Sequence, residues 1–147
     1  MALMQRGVAL AAGRMPKMIS PRVHSALDYA VAGSFLLFGA LFWKHNRRAA
    51  VGSLLCGGAT AAVSLLTDYS GRNGKPISYP VHGQIDTGLI AMTAAMPKLM
   101  SIEDKPAARF FSRQALAKTA ITAMSNFEHT RRKGSRHEAD EDEHIGI

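Results

Sequence analysis

The chain has 147 residues, of which 47% are apolar, and a formal net charge of +7. This length allows one domain. The charge does not indicate a nucleic-acid-binding protein, because the basic residues lie in the tails and short loops, with no stripe of Lys and Arg interleaved with aromatic residues. A single cysteine, Cys56, excludes an intrachain disulfide.

The two ends of the chain differ in composition from the middle. Residues 1–20 are basic and contain no acidic residue, which is typical of a cytoplasmic basic tail or of an organellar targeting segment. Residues 128–147 are densely charged, which predicts a disordered tail. The domain is therefore expected within residues 21–127.

Four apolar segments between the tails predict four helices, at residues 23–43, 49–68, 81–100 and 106–126. In the first segment the only acidic or basic residues are Asp28 and His24, both in its first turns, and residues 49–67 carry no charge. The first segment matches the roughly 20 residues that a membrane-spanning helix needs. The sequence therefore predicts an all-α fold, a four-helix transmembrane bundle.

The fourth helix is the least typical span, because it contains Arg109, Arg113 and Lys118. The arginines can reach the membrane surface, but Lys118 would lie near mid-membrane at a cost of a few kcal/mol. Two interpretations stay open: a spanning helix with Lys118 turned into the bundle, or a basic helix lying along the membrane interface.

An internal repeat with an offset of 58 residues dominates the chain. The segment 66–69 recurs conservatively as 124–127, and a second set of five residues recurs identically. In that set, Ile19, Ser20, Val23, His24 and Asp28 return as Ile77, Ser78, Val81, His82 and Asp86. The offset predicts two tandem helical hairpins, repeat one at 19–69 and repeat two at 77–127, related by a pseudo-twofold axis along the membrane normal.

Alternating spans place five polar residues on the same membrane face. These residues are His24, Asp28, Asp68, His82 and Asp86. Ten basic residues, including those of both tails, share this side, whereas the other two turns carry six. This bias predicts that both termini lie inside. The expected location is the bacterial inner membrane or, as the alternative, a mitochondrial membrane, with contacts to the bilayer and to anionic lipid headgroups. A homo-oligomer or a larger membrane complex is compatible with the pattern.

The polar cluster has several interpretations. In the first, no cofactor is present, and His–Asp pairs tie helix 1 to helix 2 and helix 3 to helix 4. Asp68, at the end of a helix where the dipole disfavours a carboxylate, would then need a histidine partner. Thr67 and Ser125 would add hydrogen bonds, while Tyr29, Tyr69 and Tyr79 would lie at the interface.

The alternatives assign a ligand or a path to the same residues. A divalent metal could be held by His24, Asp28, Asp68, His82 and Asp86. A haem could be clamped by His24 and His82. A proton or ion pathway is a further alternative. The sequence contains no nucleophile with a base, no phosphate-binding loop and no cysteine pair, so a non-enzymatic role is expected.

The motifs also carry a resemblance. The run from Ser20 to Tyr29, the segment Leu66-Thr67-Asp68-Tyr69 and the pair His82 and Asp86 resemble small bacterial four-helix membrane proteins of the SPW-repeat type. That resemblance covers residues 19–127 and implies a repeated two-helix membrane unit, without implying a biochemical role.

Overall fold

The computed structural model describes residues 16–127. Within them lie four helices: α1 Pro21–Phe42, α2 Arg47–Leu66, α3 Tyr79–Leu99 and α4 Lys105–Met124. The predictions of an all-α fold and of four helices are confirmed, with every boundary within two residues of its expected place. The proposed disordered tail and most of the proposed targeting segment lie outside the described residues.

The helices begin where the local sequence favours it. Proline occupies the first turn of α1, α3 and α4, a place where its missing N–H costs nothing and its fixed φ suits a helix. The side chains of Asn46 and Asp104 accept hydrogen bonds from the first turns of α2 and α4, which satisfies backbone donors that have no partner inside the helix.

Helix α2 ends at Leu66, two residues earlier than predicted, because the chain turns extended there. Two short strands follow, β1 Thr67–Asp68 and β2 Ile77–Ser78, which pair in parallel with Thr67 opposite Ile77. A matching parallel bridge joins Ile19 to Ser125. Ile19 lies 58 positions before Ile77, and Ser125 lies 58 positions after Thr67. The end of each repeat is thus joined to the beginning of the other.

The two hairpins are packed closely. Helix α1 packs most extensively against α2, and α3 against α4. A Cβ atom added at Gly57 of α2 would lie 2.8 Å from the Cβ atom of Phe35 and 3.1 Å from the carbonyl oxygen of Ala32, both in α1. The hairpin therefore depends on glycine to bring the two backbones together.

Polar side chains fill much of the interior, while large apolar side chains cover the outside. Fully buried groups include His24, His82 and Lys118, whereas Leu37 and Leu116 are 62% and 70% exposed. A separate apolar core around Phe35 and Phe111 lies toward the other end of the bundle. Charged residues are almost never fully buried unless they are paired, and the buried charged residues here are paired with one another.

Two of the described helices, α1 and α2, are long and apolar enough to cross a membrane, with mean hydropathies of 1.5 and 1.8. Core helices of soluble proteins can reach the same values, so hydropathy alone is weak evidence for a membrane location. Within the apolar windows of these helices, 28% of the α1 residues and 44% of the α2 residues are buried.

Candidate metal centre

Four side chains meet between the two repeats. Helix α1 contributes His24 and Asp28, and helix α3 contributes His82 and Asp86. The spacing of four residues places each pair on one face of its helix. All four side chains are at most 1% exposed, and one nitrogen or oxygen of each lies within 4.8 Å of the others.

The inner contacts run between the repeats as much as within them. The two Nε2 atoms lie 3.2 Å apart. The Nε2 atom of His24 lies 3.1 Å from Oδ2 of Asp86, and that of His82 lies 2.8 Å from Oδ2 of Asp28. Each Nε2 lies farther, at 3.4 Å, from the aspartate of its own helix. The prediction that these groups tie helix 1 to helix 2 and helix 3 to helix 4 is therefore incomplete, because the shorter contacts join α1 to α3.

The outer nitrogen of each histidine faces a hydroxyl. Nδ1 of His24 lies 2.6 Å from Oγ of Ser125, and Nδ1 of His82 lies 2.8 Å from Oγ1 of Thr67. Each hydroxyl also lies 2.6 Å from a carbonyl oxygen, that of Ile121 or Val63. The two hydroxyls thus make the hydrogen bonds expected of them.

These contacts define the histidine tautomers. A hydroxyl has one proton, and a carbonyl oxygen can only accept. Ser125 and Thr67 therefore donate to the carbonyls and accept from the imidazoles, so both Nδ1 atoms carry hydrogen. In the neutral rings, both Nε2 atoms then present lone pairs toward the centre, beside carboxylate oxygens that also only accept.

The second oxygen of each aspartate contacts Lys118 of α4. Nζ of Lys118 lies 3.1 Å from Oδ1 of Asp28 and 2.9 Å from Oδ1 of Asp86, and its side chain is 1% exposed. Lys118 is therefore turned into the bundle, as one of the two interpretations of the fourth helix expected, but α4 is not among the described helices that are apolar enough to cross a membrane. The sequence identifies Lys118 only as a charge with an unfavourable position in a membrane, and does not indicate that it belongs to the cluster.

Hydroxyl donors also reach the inner carboxylate oxygens. Oδ2 of Asp28 accepts from Ser64 at 3.2 Å and from Tyr69 at 3.4 Å, and Oδ2 of Asp86 accepts from Thr122 at 3.3 Å. Ser64 and Thr122 are also 58 residues apart. A signal for these residues exists in the sequence, because polar side chains recur at i, i+4 and i+7. They are Thr60, Ser64 and Thr67 in the first repeat and Lys118, Thr122 and Ser125 in the second.

Asp68 does not belong to this cluster, and the prediction that a histidine compensates it is wrong. Its two oxygens accept hydrogen bonds from backbone N–H groups of the following loop, at residues 70–74. Burial of the carboxylate raises its pKa, whereas the hydrogen bonds from the Ser70 hydroxyl and from these N–H donors lower it. The hydrogen bonds have the larger combined effect, so the pKa of Asp68 lies below its ordinary value. Asp68 therefore organises a loop.

Tyr79 also differs from its predicted interfacial position. It is fully buried. Its ring packs edge-on against that of His24, with ring centres 5.5 Å apart, and lies tilted against that of Phe127, with ring centres 4.6 Å apart. Tyr29, in contrast, is 41% exposed. Aromatic rings thus close one side of the histidine pair.

The site offers two imidazole nitrogens and two carboxylate oxygens, each held by an outer hydrogen bond. Such a set of donors is suited to a first-row divalent metal. Comparisons with family models, with curated proteins and with solved structures find no match for this chain. The resemblance to the SPW-repeat type stays a prediction.

Proposed function

We propose that this protein is a small integral membrane protein in which one divalent metal ion, of the zinc type, joins two repeated helical hairpins. The ligands are Nε2 of His24 and His82 and Oδ2 of Asp28 and Asp86. The observation that carries the proposal is the convergence of two imidazole nitrogens and two carboxylate oxygens on one buried point, with a hydroxyl facing each outer nitrogen.

The convergence favours a cation over a proton. A proton on one Nε2 makes one directed hydrogen bond, whereas Nε2 of His24 lies within 3.4 Å of three acceptor atoms at once. A proton on each Nε2 would place two imidazolium charges next to each other at 3.2 Å. A metal ion attracts all four atoms without a preferred partner.

Five of the six distances among the four atoms suit a compact ion site. These five distances involve a histidine and range from 2.8 to 3.4 Å, and all four side chains offer ligand atoms within 4.8 Å of one another. A regular tetrahedron with edges at the middle of the shorter range has its centre about 1.9 Å from each corner, close to the length of a bond from zinc to imidazole nitrogen or carboxylate oxygen.

Four buried protein ligands indicate a structural rather than a catalytic metal. A catalytic zinc keeps one position for water or substrate, whereas a structural zinc is fully ligated by protein. The ligands come equally from α1 and α3, so the ion would hold the two repeats together. This agrees with the expected non-enzymatic role, in which the cluster stabilises the bundle.

A haem does not fit these positions. Axial histidines bind iron from opposite faces of the porphyrin, so the ring would have to pass between the two Nε2 atoms. Carboxylate oxygens of Asp28 and Asp86 occupy that region, within 3.4 Å of the nitrogens.

The membrane part of the proposal is supported by the distribution of polarity. The buried cluster consists of two aspartates, two histidines and a lysine, and the outside carries exposed leucines on α1, α2 and α4. Lipid can solvate such an exterior, and a buried paired cluster is the form in which ionisable groups occur in membrane proteins. A soluble protein would place this apolar surface in water.

Elemental analysis tests the metal assignment. The protein is expressed with a tag that does not bind metal and extracted in mild detergent from washed membranes. We expect about one zinc-type ion per chain, lost in a His24→Asn/His82→Asn double variant and retained in His45→Asn, a change in the exposed turn between α1 and α2. Folded wild-type protein that stays metal-free after incubation with Zn²⁺ would overturn the metal assignment, and recovery of the protein only in the soluble fraction would overturn the membrane location.

A further inference from the structure

Lys118 is the one buried cation in direct contact with the described cluster. Its Nζ atom bridges the two aspartates, 3.1 Å from Oδ1 of Asp28 and 2.9 Å from Oδ1 of Asp86. Lysine is almost never buried this completely unless it is paired. The two oxygens of each aspartate therefore have different partners: Oδ1 contacts the ammonium group, and Oδ2 contacts the histidines.

We infer that Lys118 determines which metals the site accepts, by limiting each aspartate to one metal-binding oxygen. This inference rests on the proposed metal site. With both Oδ1 atoms held by the ammonium, the site offers two nitrogens and two oxygens. Without the ammonium, both carboxylates can rotate to bind through two oxygens, and the same four side chains then offer six donor atoms.

The number of donors separates classes of divalent ion. Zinc is stable with four ligands in a tetrahedron, whereas manganese is typically bound in an octahedron of mostly oxygen ligands. The ammonium also repels any cation at the centre, and the loss of this repulsion favours all divalent ions alike. Selectivity between ions therefore reports on the coordination number, whereas affinity for one ion mixes the two effects.

The test variant is Lys118→Met, which keeps an unbranched side chain, one atom shorter, and removes the charge and the hydrogen-bond donors. The matched control is Lys105→Met, at the exposed beginning of the same helix. Both proteins are stripped of metal and loaded with Co²⁺, whose visible absorption is much stronger in a four-coordinate than in a six-coordinate site. Competition between Zn²⁺ and Mn²⁺ is measured on the same samples.

We expect the wild type and Lys105→Met to show the intense four-coordinate Co²⁺ spectrum. Lys118→Met should show a weak five- or six-coordinate spectrum and a preference for Zn²⁺ over Mn²⁺ that is at least about tenfold smaller, in the range by which outer-shell partners affect metal binding. A Lys118→Met protein with the wild-type spectrum and the wild-type preference would overturn the inference and leave the metal site in place.

Two further outcomes are distinct from this one. Wild-type protein that binds neither Co²⁺ nor Zn²⁺ would overturn the proposed function itself. If Lys118→Met does not fold, X-ray absorption at the zinc edge of the wild type tests the inference instead. The inference requires two nitrogen and two oxygen neighbours around the zinc, and a coordination number of five or six contradicts it.

Discussion

Lys118 occupies in the second repeat the position that Thr60 occupies in the first, 58 residues earlier. Both side chains are buried, at 1% and 2% exposure. The neighbouring polar positions keep their chemistry between repeats, with hydroxyls at Ser64 and Thr122 and again at Thr67 and Ser125. The site is therefore symmetric in its histidines, its aspartates and these four hydroxyls. It is asymmetric in its one ammonium and in the hydroxyl of Tyr69, whose counterpart in the second repeat is Phe127.

This asymmetry gives the cluster its charge balance. Two aspartates and one lysine leave one negative charge to be compensated between the repeats. A divalent metal with neutral histidines changes the sum to one positive charge, whereas one protonated histidine changes it to zero. Since a buried net charge is costly, the net charge alone favours one protonated histidine, and the metal assignment depends on the convergence of the four side chains.

The hydroxyls that orient the histidines give a first prediction. Thr67→Val or Ser125→Ala removes the acceptor of one Nδ1–H group and leaves the four proposed ligands unchanged. We expect Zn²⁺ affinity to fall by about 10- to 100-fold in each variant, with similar losses because the two hydroxyls have equivalent places in the two repeats. Competition with a chelator of known affinity measures this.

The control for those variants is Ser112→Ala. Its hydroxyl also bonds to a backbone carbonyl four residues earlier, that of Ala108, but on the exposed side of α4. Unchanged Zn²⁺ affinity in Thr67→Val and Ser125→Ala would contradict the assignment of the tautomers.

Some of this site could be predicted from the sequence, for a clear physical reason. A repeated His-x-x-x-Asp pair on equivalent helices must be related by the symmetry that relates the hairpins, so His24, Asp28, His82 and Asp86 could be grouped without knowing any distance. The helix periodicity within each repeat supplied the rest of that prediction.

The parts that could not be predicted depend on backbone details between the helices. The sequence predicts that Asp68 ends a helix on the same face as the cluster, but the helix stops at Leu66 and the following strand turns the carboxylate toward its own loop. For Lys118 the sequence indicates only its depth in a membrane, because its partners come from α1 and α3, which are distant in sequence. Its contacts depend on the rotation of α4 about its axis.

Asp68 provides the second prediction. We expect Asp68→Ala to destabilise the protein by roughly 1–3 kcal/mol, because it leaves loop N–H groups without their acceptor, and to retain one metal per chain. Since the pKa of Asp68 lies below its ordinary value of 3.8, its contribution is complete above that pH and is lost as the pH falls below it. Loss of metal from a folded Asp68→Ala protein would return Asp68 to the ligand set.

Metal removal gives the third prediction. A ligand that binds only the folded state stabilises it by about 2.7 kcal/mol when its free concentration is 100 times its dissociation constant. Thermal unfolding in detergent should therefore occur at a clearly lower temperature after chelation, and addition of Zn²⁺ should restore the original temperature. The His24→Asn/His82→Asn variant should show no response to either treatment. A response of that variant equal to that of the wild type would place the metal elsewhere.

The fourth prediction concerns the close approach of α1 and α2, and uses two adjacent glycines. A Cβ atom at Gly57 would lie 2.8 Å from Cβ of Phe35, which is fixed to the backbone of α1, whereas a Cβ atom at Gly58 meets no atom within 4 Å. Gly57→Ala must therefore separate the helices, at a cost of about 1–3 kcal/mol. Gly58→Ala should be neutral or stabilising by up to about 1 kcal/mol, since alanine favours a helix more than glycine does. Thermal unfolding of the two variants in the same detergent compares them directly, and equal stabilities would show that the hairpin does not require a small residue at Gly57.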